Sequence, residues 1–530
     1  MTSERRGTAN RTWVALLVVA GALAVLNAGV FAERATSLVH TYRLFITEGA
    51  EGPHIYAVWR VLNGHPLYEW PLQVPYSLTF YNALFYRTYA AFLQLAGVNG
   101  EAILYWGRVL TLGFTVTAAA VFAAMAIWLV PREERTRLVL ALVALLAPVI
   151  WLGSNFTAWW ALSIRPDVPA ALFSLAGLWL VLRVDASGRW RSLLAASLLF
   201  FLAWAFKQSF VLTLLGSAVF FGWRRDWRAL AVLVGPFTAL AVVAVAIGGP
   251  EYRYNLLVAP ALSGYAPRQA AAIVARVAVQ NAFVWAFPVI AWLHARAQTV
   301  DTPADVIAER RDALTRLRVI AGVALMCGVA MLARAGTNKN QLFEAYVAGA
   351  LLATVETIRC ARVTLAPRRG RRLAVFATVL LLPMVAFPAA QLLWPNHFGV
   401  TRLAADTDLR RRAALADALA GLPKPLFIDD DILGQPWHAT ENRYPALVLD
   451  RLWLSIAIPP GGGQDFAKRA LEWQAPRAVV ATDGDPFHRA ALALGMRCGP
   501  VPSCPHCDRG MVVCMDRIHR EAGGPGSATR

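Results

Sequence analysis

From residue 12 to residue 394 the chain alternates long apolar runs with short polar breaks. The runs fall at 12–31, 107–130, 137–153, 168–183, 192–206, 209–223, 228–248, 278–294, 317–333, 342–358 and 373–394. A helical run of about 20 residues is long enough to cross a hydrocarbon layer once. The pattern therefore predicts an all-α polytopic membrane bundle of about eleven transmembrane helices. The stretch 192–223 also reads as one long helix with Lys207 in its middle. Two short helices meeting near Lys207 keep the ammonium away from the bilayer centre and leave the later loops on consistent sides, so the divided reading is preferred.

The polar breaks carry a second pattern. Arg5, Arg6 and Arg11 precede the first run, and Arg132, Arg135 and Arg137 follow the second. Further groups stand at Arg183, Arg189 and Arg191, at Arg224, Arg225 and Arg228, at Arg296, Arg310, Arg311, Arg316 and Arg318, and from Arg359 to Arg372. Clusters in alternate loops mark the cytoplasmic side. The amino terminus is then cytoplasmic, and the extracytoplasmic side receives the loop 32–106, the segment 154–167, the turn at Lys207, the loops 249–277 and 333–341, and everything after 394. The first apolar core is longer than that of a cleaved signal, which predicts a retained first helix.

After residue 394 the pattern changes. "PLFIDDD", "PRAVVATD" and "MVVCMD" read as short buried strands, and "DLRRRAALADALAGL" and "FAKRALEWQ" as amphipathic helices. The expected organisation is a transmembrane domain over 1–394, a small extracytoplasmic α/β domain over 395–518 and a disordered tail over 519–530.

Composition agrees: 57% of the 530 residues are hydrophobic and 16% charged, too apolar for an ordinary soluble chain. The net charge of +18 raises the question of nucleic acid. Its placement in alternate loops accounts for it, and no nucleic-acid partner is expected. Cys498, Cys504, Cys507 and Cys514 all fall in the outer domain, where an oxidising compartment favours two disulfides of open pairing. A zinc site around "CPHC" is the alternative.

The loop 32–106 opens with "TEGAEGPHIYAVWRVLNGHPLY". Pro53 suits a helix start and Gly64 with Pro66 a stop, so 53–63 forms a helix too short to span and expected at the interface. The aromatic run 76–97 predicts a second such segment, with rings at headgroup level. Glu48 and Glu51 are thus carboxylates held beside an apolar layer, which costs free energy unless they are solvated or partnered.

This arrangement resembles the membrane glycosyltransferases of the GT-C fold, in particular bacterial members related to protein mannosyltransferases and the aminoarabinose transferase. "IRPDVPAALFSLAGLWLVL", "FLAWAFKQSFVLTLL" and "GTNKNQLFEAY" are similar to further segments of that family, in the same order. The likeness covers roughly residues 12–360. It departs from the family's pattern at Ala50, where many members carry Asp before Glu-Gly.

The resemblance implies a sugar transferase that uses a polyprenyl-phosphate-linked donor within membrane lipids and a lipid, glycan or protein acceptor in the envelope. Displacement at the anomeric carbon needs a base for the acceptor hydroxyl and a cation for the departing phosphate. Glu51, then Glu48, are the expected bases. Asp167 would orient the acceptor or help hold a divalent cation, Mg or Mn. Arg165 and Lys207 are the expected phosphate partners. His54, Tyr56, Asn340 and Glu344 are expected substrate contacts, and no histidine is assigned to a metal. A transporter or lipid-handling protein, or a catalytically silent relative that binds a partner, are the competing readings.

Overall fold

The computed structural model describes residues 18–19, 21–32, 51–70, 79–100, 102–130, 137–153, 156–157, 160–184, 189–261, 264–296, 304–334, 337–362, 372, 375–377, 379–384, 386, 390, 422–423, 426–428, 463–501 and 510–515. Its helices are α1 (Gly21–Ala32), α2 (Gly52–Leu62), α3 (Ala83–Leu95), α4 (Ala102–Leu129), α5 (Arg137–Pro148), α6 (Asp167–Leu182), α7 (Arg189–Phe206), α8 (Leu212–Trp223) and α9 (Trp227–Ile247). The chain continues through α10 (Gly249–Arg253), the single turn α11 (Ala259–Ala261), α12 (Pro267–Gln280), α13 (Ala282–Arg296), α14 (Ala304–Leu332), α15 (Phe343–Arg362) and α16 (Val375–Met384). Each of the eleven expected apolar runs carries one of these helices. Among the described residues four are long and apolar enough to cross a membrane, namely α4, α7, α9 and the Asp312–Leu332 part of α14. A fifth span results if α12 and α13, bent by 71° at Asn281, cross as one broken unit. The other apolar helices are shorter, and several sit deep in the bundle.

The chain does divide at Lys207. α7 ends at Phe206, and α8 starts at Leu212. The first turn of a helix leaves its N–H groups without intrahelical partners. Here a carboxylate from another helix supplies the acceptor. Glu344, in the first turn of α15, accepts from the Leu212 N–H at 2.7 Å and more weakly from the Thr213 N–H at 3.4 Å. The hydroxyls of Ser174 and Thr213 donate to the same group at 2.5 and 2.7 Å. A negative charge at a helix amino terminus is favoured by the dipole as well. α8 then packs against α14, where Gly216 allows contact so close that a Cβ would meet the Ile320 Cα at 2.8 Å.

α2 and α3, the two helices expected at the interface, each bury one face. They pack on each other and on α4, with Phe85, Tyr86 and Tyr89 fully buried. A tyrosine is tolerated on a buried face where its hydroxyl has a partner. Tyr89 Oη, for example, meets Thr111 Oγ1 at 2.7 Å. On the cytoplasmic side of the predicted topology, Arg316 donates to the carbonyls of Val181 and Val184 at the end of α6, and Arg189 pairs with Asp226. These arginines hold helix ends as well as marking a face.

A separate sheet follows. Strands β1 (Leu426–Ile428), β2 (Ala478–Thr482), β3 (Arg497–Pro500) and β4 (Met511–Met515) are ordered β1-β2-β4-β3, with β1 parallel to β2 and the other pairs antiparallel. α17 (Gly463–Gln474) and α18 (Pro486–Ala493) accompany it. Residues alternate between two faces along β2, Val479 and Ala481 packing with Phe427 and Phe487, Ala478 and Val480 with Leu426 and Val513. Three strands coincide with the predicted ones, while β3 was not anticipated, since Arg497–Pro500 has neither length nor alternation. Cys498 and Cys514 stand opposite each other in the β3–β4 register and form a disulfide. His488 lies close to both sulfurs, but bonded to one another they have no thiolate for zinc. Cys504, Cys507 and the predicted helix over most of 408–422 lie outside the described residues.

Glu344→Ala should remove the shared acceptor at the start of α8 and cost at least about 2 kcal/mol. In detergent this reads as a lowered Tm, with Glu344→Gln, which keeps one oxygen, losing less.

Candidate active site

Six pieces of chain meet at one end of the bundle: the start of α2, the segment 79–82, the first turns of α4, the segment 160–166, the start of α6 and the turn at Lys207. The segment 79–82 is tied from several sides. The Thr79 N–H donates to Asn255 Oδ1 at 3.0 Å, Gln208 Nε2 to the Phe80 carbonyl at 2.6 Å and Tyr68 Oη to the Tyr81 carbonyl at 2.8 Å. Asn82 donates to the Trp204 carbonyl at 2.5 Å and accepts from Tyr252 Oη at 2.6 Å. The Tyr81 ring is thereby fixed in the middle of the site.

Around it stands a charged cluster. Asp167, fully buried, opens α6. Its Oδ1 accepts from Lys207 Nζ at 2.6 Å, and its Oδ2 from Arg165 Nε at 3.2 Å. Arg165 Nη2 reaches Tyr81 Oη at 3.2 Å. The Lys207 ammonium lies 5.5 Å from the Tyr81 ring centre and 5.4 Å from that of Phe210. Lys207 is 1% exposed, yet of its three N–H donors one has an acceptor among the described residues.

Glu51, 4% exposed, sits next to this cluster. Arg108 of α4 holds it as a fork, Nη2 on Oε2 at 2.8 Å and Nε on Oε1 at 3.3 Å. The Ile164 N–H adds a third donor to Oε1 at 2.6 Å, one residue before Arg165. The close fit of this segment to α4 depends on Gly107, where a Cβ would stand 2.5 Å from Ile164 Cδ1. Thr111 and Thr115 strap the same segment by donating to the carbonyls of Ser163 and Ala161 at 3.0 and 2.8 Å.

His54, one turn into α2, faces the cluster from the other side. Its ring centre is 4.8 Å from that of Tyr81, and Nδ1 lies 3.5 Å from Tyr86 Oη. Burial first, then Arg165 and Lys207, hold its pKa well below the ordinary histidine value, while Asp167 pulls the other way. At neutral pH the ring is therefore uncharged. In all, Arg108, Arg165 and Lys207 face Glu51 and Asp167.

Glu51, His54, Arg165, Asp167 and Lys207 thus come together from distant parts of the chain. Tyr56 is buried elsewhere on α2, stacked on Trp59 at 6.2 Å. Asn340 is buried in the 3₁₀ turn Lys339–Leu342, and the Glu344 oxygens are engaged at α8. Glu48 lies outside the described residues. Arg108 and Tyr81 escaped the sequence reading. An arginine one residue inside a predicted span was a signal for the first, whereas Tyr81 was hidden in an aromatic run read as membrane anchors. Among the described residues, each oxygen of Asp167 already faces a cation and the neighbouring Glu51 is held by Arg108, so these two carboxylates present no open oxygen for a divalent cation.

No protein-family model matches the chain, and a comparison with curated proteins finds no match. Among solved structures, the crystal structure of ArnT from Cupriavidus metallidurans in the apo state aligns with TM-score 0.52 at 16% identity, over 88% of this chain and 92% of that one. The Archaeoglobus fulgidus oligosaccharyltransferase in its apo form, and AglB from the same organism with an inhibitory peptide and a dolichol-phosphate, align at 13% identity over 91% of this chain and 71% of theirs, with TM-scores of 0.46 and 0.45. The alignment with ArnT gives the fold: the chain has the GT-C fold.

Removing one partner of a buried ion pair leaves the other uncompensated, at a cost of about 3–5 kcal/mol. Glu51→Gln and Arg108→Gln should each lower the Tm of the solubilised protein, and the double variant should lose less than the two together.

Proposed function

We propose that the chain is an integral-membrane glycosyltransferase that moves a sugar from a polyprenyl-phosphate donor to an extracytoplasmic envelope acceptor. The observation that carries this reading is the buried Lys207, with donors to spare among the described residues, beside Arg165. A phosphodiester between a lipid and a sugar carries one negative charge, which an ammonium and a guanidinium side by side can meet. When the bond from the anomeric carbon to the phosphate oxygen breaks, the phosphate gains further negative charge. Lys207 as a point charge and Arg165 as a fork then stabilise it more strongly than the ground state, which is the condition for catalysis.

The remaining groups hold this cradle in shape. Two cations close together repel, and Asp167 between them fixes both. Tyr81 adds its ring to Lys207 and its hydroxyl to Arg165. Glu51 has three donors on its oxygens, so we give it a positioning role, setting the segment before Arg165 against α4. The GT-C fold supports the class of reaction. A disulfide between Cys498 and Cys514 suits an extracytoplasmic placement of the sheet.

Purified protein in nanodiscs, given labelled undecaprenyl-phosphate sugars and envelope material, should release undecaprenyl phosphate and form glycosidic product. Lys207→Met should cut kcat by about 10²–10³-fold, and Arg165→Lys should act in the same direction. Movement of lipid across the bilayer with no glycosidic product would instead favour a lipid-handling protein.

A further inference from the structure

A transferase of this kind needs a proton acceptor for the attacking hydroxyl, and the two described carboxylates beside the cradle already have their oxygens engaged. Glu51 receives three N–H donors, and Asp167 sits between an ammonium and a guanidinium.

His54 differs in each respect. It lies against the same Tyr81 ring that meets Lys207 and Arg165, so it borders the place where the phosphate would rest. It is 4% exposed and packed by Tyr81, Phe85 and Tyr86. The charged groups that act on it are Arg165, Asp167 and Lys207. Nδ1 has Tyr86 Oη at 3.5 Å, while Nε2 has no hydrogen-bond partner among the described residues. A buried imidazole with one nitrogen engaged and the other open is a proton acceptor in waiting.

We infer that His54 takes the proton of the acceptor hydroxyl. The inference rests on the sugar-transfer reading above. With the Nδ1 proton directed at Tyr86 Oη, Nε2 carries the lone pair. The acceptor oxygen forms its bond to the anomeric carbon as the bond from that carbon to the phosphate oxygen breaks. The electron pair leaves on the phosphate, beside Arg165 and Lys207, and the hydroxyl proton passes to Nε2. Asp167 stabilises the imidazolium so formed, which then returns its proton to water or to the phosphate.

The test uses the full-length protein in nanodiscs, undecaprenyl-phosphate mannose, glucose, galactose and arabinose as donor probes, and envelope material from a deletion strain as the acceptor source. His54→Gln is expected to lower kcat by about 10²–10⁴-fold, with donor KM changed by less than about threefold. Imidazole in the buffer should restore part of the rate to His54→Ala, which a structural role for the ring does not predict. The wild-type rate should fall on the acid side only below the ordinary histidine value of about 6.5, and His54→Gln should lack that limb. Undiminished kcat in well-folded His54→Gln and His54→Ala overturns the assignment. Should neither variant fold, the wild-type profile decides: an acid limb below the ordinary histidine value of about 6.5 and above the carboxylate range supports the role, and its absence removes it. A wild-type protein that makes no product with any of the donors is a different result, which removes the transfer reading and the base together.

Discussion

Two cations cannot share a dry site without something between them, and Asp167 is what lies between Lys207 and Arg165. At short range in a medium of low dielectric, like charges repel by several kcal/mol, and each ion has also given up its hydration. A single carboxylate that accepts from both turns the repulsion into a bridge. That requirement reaches far into the fold. Asp167 has to open α6, so that its side chain points away from the apolar length of the helix. Lys207 has to lie where α7 and α8 part, so that its ammonium emerges at the same level. The break between those helices is therefore a condition of the site.

Breaking a helix exposes N–H groups, and a second buried carboxylate meets them. Glu344 stands to α8 much as Asp167 stands to the two cations, an anion placed where the local field is positive. Glu51 is a third example, bound by a guanidinium and a main-chain amide. The three share a logic. Each joins pieces of chain that are far apart in sequence, and each is nearly saturated with donors. In so apolar a bundle these are the contacts with directional preference, and they fix a register that helix packing alone leaves loose.

Much of this could be read beforehand. The helical elements followed from the spacing of apolar runs, because hydrocarbon thickness sets a length that sequence displays directly. The division at Lys207 followed from the cost of a lysine at mid-membrane together with the sidedness of the arginines. Arg165 and Asp167 stood out as charges at the rim of an apolar run. The burial of α2 and α3 was not legible, since a short aromatic helix has the same composition at a lipid surface and inside a bundle. What separates the two cases is whether the hydroxyls find partners, as Tyr89 finds Thr111, and those partners come from elsewhere in the chain. For the same reason Arg108 was passed over, and Glu344 read as a substrate contact before its four donors were in view.

The third donor to Glu51 is a peptide N–H, that of Ile164. A main-chain group is the same whatever side chain stands at the position, so residue 164 can drift among apolar types of similar shape without disturbing the bond. Covariation across related chains should therefore pair position 51 with position 108, while the equally direct 51–164 contact leaves no coupled substitutions. An inventory of co-evolving positions would record the Arg108 side of this carboxylate and miss the main-chain side, which is the one that leads to Arg165.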